Sequence, residues 1–88
     1  MQSEQVTFRM PDLGLGETEI RVSVWHAEVG QPIEFRQRLV EVMAGDALVD
    51  LPSPATGCVA QWCVAEDESV RPGQALAIID RGETSIVS

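Results

Sequence analysis

Glu41-Val-Met-Ala-Gly-Asp-Ala-Leu-Val-Asp50 is the stretch that decides how this chain folds. Two short β-forming runs flank Gly45-Asp46, a turn-prone dipeptide. The stretch reads as a β-hairpin whose tight tip projects Asp46 into solvent, with Gly45 and Ala47 on either side. An exposed, tight tip of this kind is a place where a domain can present a tethered group.

The same grammar extends in both directions. No segment sustains a helical 3.6-residue period. Short alternating or apolar runs predict strands at Val6–Met10, Ile20–Trp25, Leu39–Met43, Ala47–Leu51, Cys58–Cys63 and Leu76–Ile79, with very short ones near Ile33 and Val70. Gly and Pro break the chain at Pro11–Gly16, Gly30–Pro32, Gly45–Asp46, Pro52–Gly57 and Pro72–Gly73. Eight short strands at this spacing predict an all-β sandwich or flattened barrel.

The two halves repeat. A shift of 37 positions lays Val22 on Val59, Trp25 on Trp62, Ile33 on Val70, Gln37 on Gln74, Leu39 on Leu76 and Val42 on Ile79. A longer offset lays Met10-Pro11 on Leu51-Pro52. The halves therefore fit a pseudo-two-fold pair of sheets, each covering the other's apolar face. Trp25 and Trp62 belong in the core, each ring N–H needing an acceptor.

Composition narrows the function classes. Eighty-eight residues make one domain, with little room for both a core and a deep catalytic pocket. Fourteen acidic residues face six basic ones, for a net charge of −8, and all six basic residues are arginines. Such a surface repels phosphate backbones and anionic membranes, so neither is an expected partner. Met1–Thr7 lacks the basic flank and apolar run of a signal peptide. Cys58 and Cys63, five apart, fall on opposite faces if one strand carries both, which precludes a bond between them. They are expected to be small buried side chains in a protein of the reducing cytoplasm. A monomer is expected.

Other constellations read as structure. Gly14-Leu-Gly16 before Glu17 lacks the third glycine and the helix of a phosphate loop, and reads as a surface turn. His26, the only histidine, has no evident Ser or Cys partner and reads as a structural residue at a strand end. A metal set of His26, Cys58 and Cys63 would have unrelated spacings, so no metal is expected. Glu66-Asp67-Glu68 reads as a solvated turn, with partner docking as the other reading. No catalytic residues are assigned.

In this order and spacing the residues resemble a known family. Met10-Pro-Asp-Leu-Gly14 with Gly16-Glu17 looks like the opening of lipoyl domains from 2-oxo acid dehydrogenase dihydrolipoamide acyltransferases. Trp25 followed by Val29-Gly30 resembles their next strand and turn. Leu39-Val-Glu-Val42 and then Leu48-Val-Asp-Leu-Pro-Ser-Pro-Ala-Thr-Gly57 resemble the hairpin and its exit. Val70-Arg-Pro-Gly-Gln-Ala-Leu76 resembles the last turn and strand. The likeness covers residues 5–80, leaving 1–4 as an expected flexible N-terminus and 81–88 as a C-terminal tail. It implies two four-stranded sheets in a flattened barrel (a barrel-sandwich hybrid). It also implies a lipoyl group on a lysine at the hairpin tip, within Asp-Lys-Ala, or biotin in relatives with a Met-Lys-Met type tip. The arm of such domains swings between a decarboxylase, an acyltransferase and a flavin dehydrogenase.

At the tip the resemblance fails. Ala47 matches the family's alanine, Gly45 stands where the aspartate belongs, and Asp46 takes the lysine's place. No other register helps, because the chain contains no lysine. Attachment needs an amine nucleophile; a carboxylate forms no such amide, and arginine is not deprotonated. No cofactor is therefore expected. Two functions remain open. One is a degenerate domain that acts as an interaction or assembly module with protein components of a 2-oxo acid dehydrogenase-type complex. The other is an ordinary lipoyl carrier whose lysine was changed. The His-x-x-x-Asp-Gly pattern of the acyltransferase catalytic domain is absent, so the chain is at most the non-catalytic part of such an enzyme. The end at Ile86-Val-Ser88 has no Ala/Pro-rich linker and fits either an excised domain or a stand-alone protein.

Overall fold

The structure, a computed structural model, describes residues 4–81. Positions 1–3 and 82–88, most of the two expected extensions, lie outside the described residues. Eight strands follow in order: β1 (Gln5–Arg9), β2 (Ile20–Trp25), β3 (Pro32–Ile33), β4 (Arg38–Ala44), β5 (Ala47–Pro52), β6 (Gly57–Trp62), β7 (Ser69–Val70) and β8 (Ala75–Asp80). They form two antiparallel four-stranded sheets, ordered β1-β8-β6-β3 and β5-β4-β2-β7. This is the all-β, two-sheet architecture expected from the sequence.

The 37-residue repeat is present in three dimensions. It carries β2 onto β6, β3 onto β7 and the start of β4 onto the start of β8, and the two sheet orders correspond strand for strand. Hydrogen bonds that secure the turns repeat at the same offset. Gln31 Oε1 accepts the Glu28 N–H as Glu68 Oε1 accepts that of Ala65; Gln37 and Gln74 do the same for Glu34 and Arg71. The tryptophans complete the pattern. Their rings stack with centroids 5.2 Å apart and 7° between planes. Trp25 Nε1 donates to the Val64 carbonyl at 3.1 Å, and Trp62 Nε1 donates to the Ala27 carbonyl at 3.0 Å. Each indole thus satisfies its N–H on the other half's backbone, which ties the halves together directionally.

The core lies between the sheets. Val22, Ile33, Leu39, Val42, Leu76 and Ile79 are almost wholly removed from water. Ser53, the one buried polar side chain among the described residues, donates to the Ala55 carbonyl at 2.7 Å. That bond fixes the Pro-Ser-Pro exit of β5.

The cysteines depart from expectation. Both are exposed and unbonded. Cys58 alternates with buried Val59, and for Cys63 the cause is a register shift in β6: Val59 faces Ile79 but Gln61 faces Ile78, so Ala60 is an extra residue. Such a bulge resets the alternation of faces. Val59 is buried, Ala60 and Gln61 are both exposed, Trp62 turns back toward the core, and Cys63 points out as Cys58 does. The repeat has the same shift in β2, between Val22 and Val24.

Candidate functional site

The hairpin of β4 and β5 closes at the pair Ala44↔Ala47, so Gly45 and Asp46 alone form the turn. Gly45 has φ 61°, and Asp46 is not among the residues of positive φ. That combination suits a type II′ turn, whose first central position favours glycine. Asp46 and Ala47 are exposed, while Ala44 is buried and anchors the tip to the core.

The segment between β1 and β2 braces the tip. Gly45 N donates to the Glu19 carbonyl at 3.2 Å. A Cβ at position 45 would lie 3.3 Å from Thr18 Cγ2. Thr18 is itself held, its hydroxyl donating to the Leu15 carbonyl at 2.8 Å. Earlier in the segment, Asp12 accepts the Gly14 N–H at 2.8 Å, and Gly14-Leu-Gly16 is an exposed turn followed by strand rather than helix. Glu19 also bonds Arg21 at 3.2 Å and Ser69 Oγ at 2.9 Å. Just below the tip, Met43 and Leu48 face each other across the strands and remain 43% and 59% exposed. The site is thus a rigid, projecting, acidic tip with an apolar pair behind it. The one ionisable side chain of the two-residue turn, Asp46, offers a carboxylate and no amine.

Farther down the hairpin lies a cluster that sequence reasoning missed. Glu41 stands directly opposite Asp50. His26 Nε2 lies 3.2 Å from Asp50 Oδ1, and Arg38 Nη1 lies 3.3 Å from Asp50 Oδ2. The His26 hydrogen bond, with help from Arg38, holds the Asp50 carboxyl below the ordinary carboxylate range. His26 is therefore grouped with carboxylates and not with the cysteines. Part of this was available earlier, because a two-residue turn at Gly45-Asp46 already places 41 opposite 50. The Glu66-Asp67-Glu68 run is a turn as expected, but two of its carboxylates accept backbone N–H groups: Glu66 that of Trp25 at 3.1 Å, Glu68 that of Ala65 at 2.7 Å.

Known proteins are similar to this chain in sequence and fold. The family described as "Biotin-requiring enzyme", the biotin/lipoyl family, matches residues 6–79. The lipoamide acyltransferase component of the branched-chain alpha-keto acid dehydrogenase complex of Pseudomonas aeruginosa is 36% identical over 70 residues, which are 80% of this chain and 15% of that protein. The dihydrolipoyllysine-residue acetyltransferase component of the pyruvate dehydrogenase complex of Corynebacterium glutamicum is 36% identical over 76 residues, 85% of this chain and 11% of that protein. This chain thus spans only a small part of the relatives it matches. The solution structure of the lipoyl domain of the 2-oxoglutarate dehydrogenase complex from Azotobacter vinelandii superposes with a TM-score of 0.66 at 16% identity, covering 90% of this chain and 98% of that one. That likeness bears on the fold. With the family matched over residues 6–79, the chain belongs to the biotin/lipoyl family and is a domain of the lipoyl type found in 2-oxo acid dehydrogenase acyltransferases.

Proposed function

We propose that this domain carries neither lipoate nor biotin and acts as an interaction or assembly module linked to a 2-oxo acid dehydrogenase-type complex. One observation carries the reading: the braced, exposed tip presents Asp46, and no lysine exists anywhere in the chain to serve in its place. In the proposed alignment Asp46 occupies the attachment position, between Gly45 and Ala47. Amide formation needs a nucleophilic amine, and six arginines supply none. The rest of the frame is retained around the tip, which suits a surface still used for contacts. The relatives named above are components of such complexes, so protein components of one are the proposed partners. A surface of net charge −8 disfavours nucleic acid and anionic membrane and favours a partner with a basic patch. Two exposed thiols suit the reducing cytoplasm, and the isolated domain is proposed to be a monomer.

A second reading has one observation in its favour. Ala47 and both hairpin strands keep the family pattern, as they would in an ordinary carrier whose lysine had been exchanged. The genomic codon for position 46 separates the two, since a lysine codon there excludes natural degeneracy.

Calorimetric titration of the unmodified chain with purified decarboxylase, acyltransferase and flavin dehydrogenase components tests the module. Saturable binding to at least one of them is expected. Absence of binding to all three refutes the assignment.

A further inference from the structure

We propose that His26, Glu41 and Asp50 form a binding site for a zinc-class divalent cation on the outer face of the hairpin. One ligand atom from each residue can be chosen so that all lie within 4.8 Å of one another. Such spacing lets a single ion touch all three with little movement of the backbone. The backbone is already fixed. Glu41 and Asp50 are directly opposed in the β4–β5 ladder, and His26 N donates to the Leu39 carbonyl at 2.9 Å.

A second observation concerns Glu41 itself. Like charges directly opposite on paired strands repel. Asp50 is relieved by His26 and Arg38. Glu41 is half-buried, and among the described residues its carboxylate has no hydrogen bond or ion pair. It faces the His26–Asp50 pair without bonding to either residue. A divalent cation between the three groups would neutralise both carboxylates at once.

The donor set selects the class of ion. One imidazole with two carboxylates suits zinc and its transition-metal neighbours better than magnesium or calcium, which favour all-oxygen sites. Asp50 Oδ1 exchanges its hydrogen bond with His26 for the metal, while Arg38 holds Oδ2. This is the orienting role that outer hydrogen bonds play around metal ligands. Coordination uses the Nε2 lone pair, so a neutral ring that donates Nε2–H to Asp50 moves its proton to Nδ1 on binding, and a charged ring releases its Nε2 proton to solvent. Three protein ligands leave positions for water, as the partial exposure of the cluster permits.

The test is titration of the full chain with zinc chloride, followed by calorimetry, in excess magnesium. A Cys58→Ser/Cys63→Ser background removes the exposed thiols as competing ligands. One saturable site per chain is expected, with the His26 ring nitrogens shifting in the NMR spectrum as it fills. His26→Gln and Glu41→Gln should each weaken binding by about tenfold or more, at least the effect of losing an outer-shell partner. Thermal unfolding without metal verifies that both variants are folded. No saturable binding, or an affinity that neither substitution moves, would overturn the proposal.

Discussion

Gly57→Ala is the substitution whose consequence can be worked most closely from the structure. Gly57 opens β6 and faces Ile33 of β3. A Cβ at this position would sit 2.3 Å from the Asp80 carbonyl oxygen, 2.9 Å from its carbon and 3.0 Å from Arg81 Cα. All three atoms are backbone, so no side-chain rotation relieves the overlap. Restoring ordinary contact at about 3.4 Å requires β6 and the end of β8 to separate by roughly 1 Å. The ladder step at Cys58↔Asp80 is at stake there. Overpacking costs about 1–3 kcal/mol, and each backbone hydrogen bond lost adds about 1 kcal/mol. The sum is roughly 3 kcal/mol, a large share of the stability of an 88-residue domain. At about 4–8 °C per kcal/mol, the melting temperature should fall by roughly 10–25 °C. Thermal and urea unfolding followed by circular dichroism measure both quantities. Gly73→Ala is the control, with open space around its Cβ and only the strain of φ 86° to bear, about 1 kcal/mol. A Gly57→Ala protein within 1 kcal/mol of wild type, or no worse than Gly73→Ala, would refute the reasoning.

Three further outcomes are expected. Trp25→Phe removes the indole N–H from the buried Val64 carbonyl and should destabilise the domain by about 1–3 kcal/mol in urea unfolding. Asp46→Lys places an amine at the tip of an intact frame and should gain one lipoyl group in intact mass when co-expressed with a lipoate ligase. Asp50→Asn should flatten the acid limb of the stability–pH curve, measured in EDTA. The folded-state pKa of Asp50 lies below its ordinary value of 3.8, so its contribution is complete above that range. It is lost as pH falls through the depressed folded-state value.

Much of this fold was legible because it rests on local rules. Ile20-Arg-Val-Ser-Val-Trp25 is a β-rich run between breakers, and its strand bounds agree with the expectation. Gly45-Asp46 fixed the hairpin register, and the tryptophan match at 37 residues announced two equivalent halves. What escaped was whatever depended on a single inserted residue or on distant partners. The bulge at Ala60 has no glycine to mark it, yet it turned Cys63 from the core to the surface. The grouping of His26 with Asp50 spans 24 positions and needs β2, β4 and β5 side by side. The carboxylate of Glu66 looked like a solvated charge because its backbone partner, Trp25, lies 41 positions away. At the tip, the absence of lysine is a property of composition, and the two-residue turn at Gly45-Asp46 was legible as a turn-prone dipeptide.

The most direct measurement is the intact mass of the unaltered chain after co-expression with an active lipoate ligase and, separately, with a biotin ligase. The account predicts an unchanged mass in both cases. A gain matching one lipoyl or one biotinyl group would mean attachment without lysine and would contradict it.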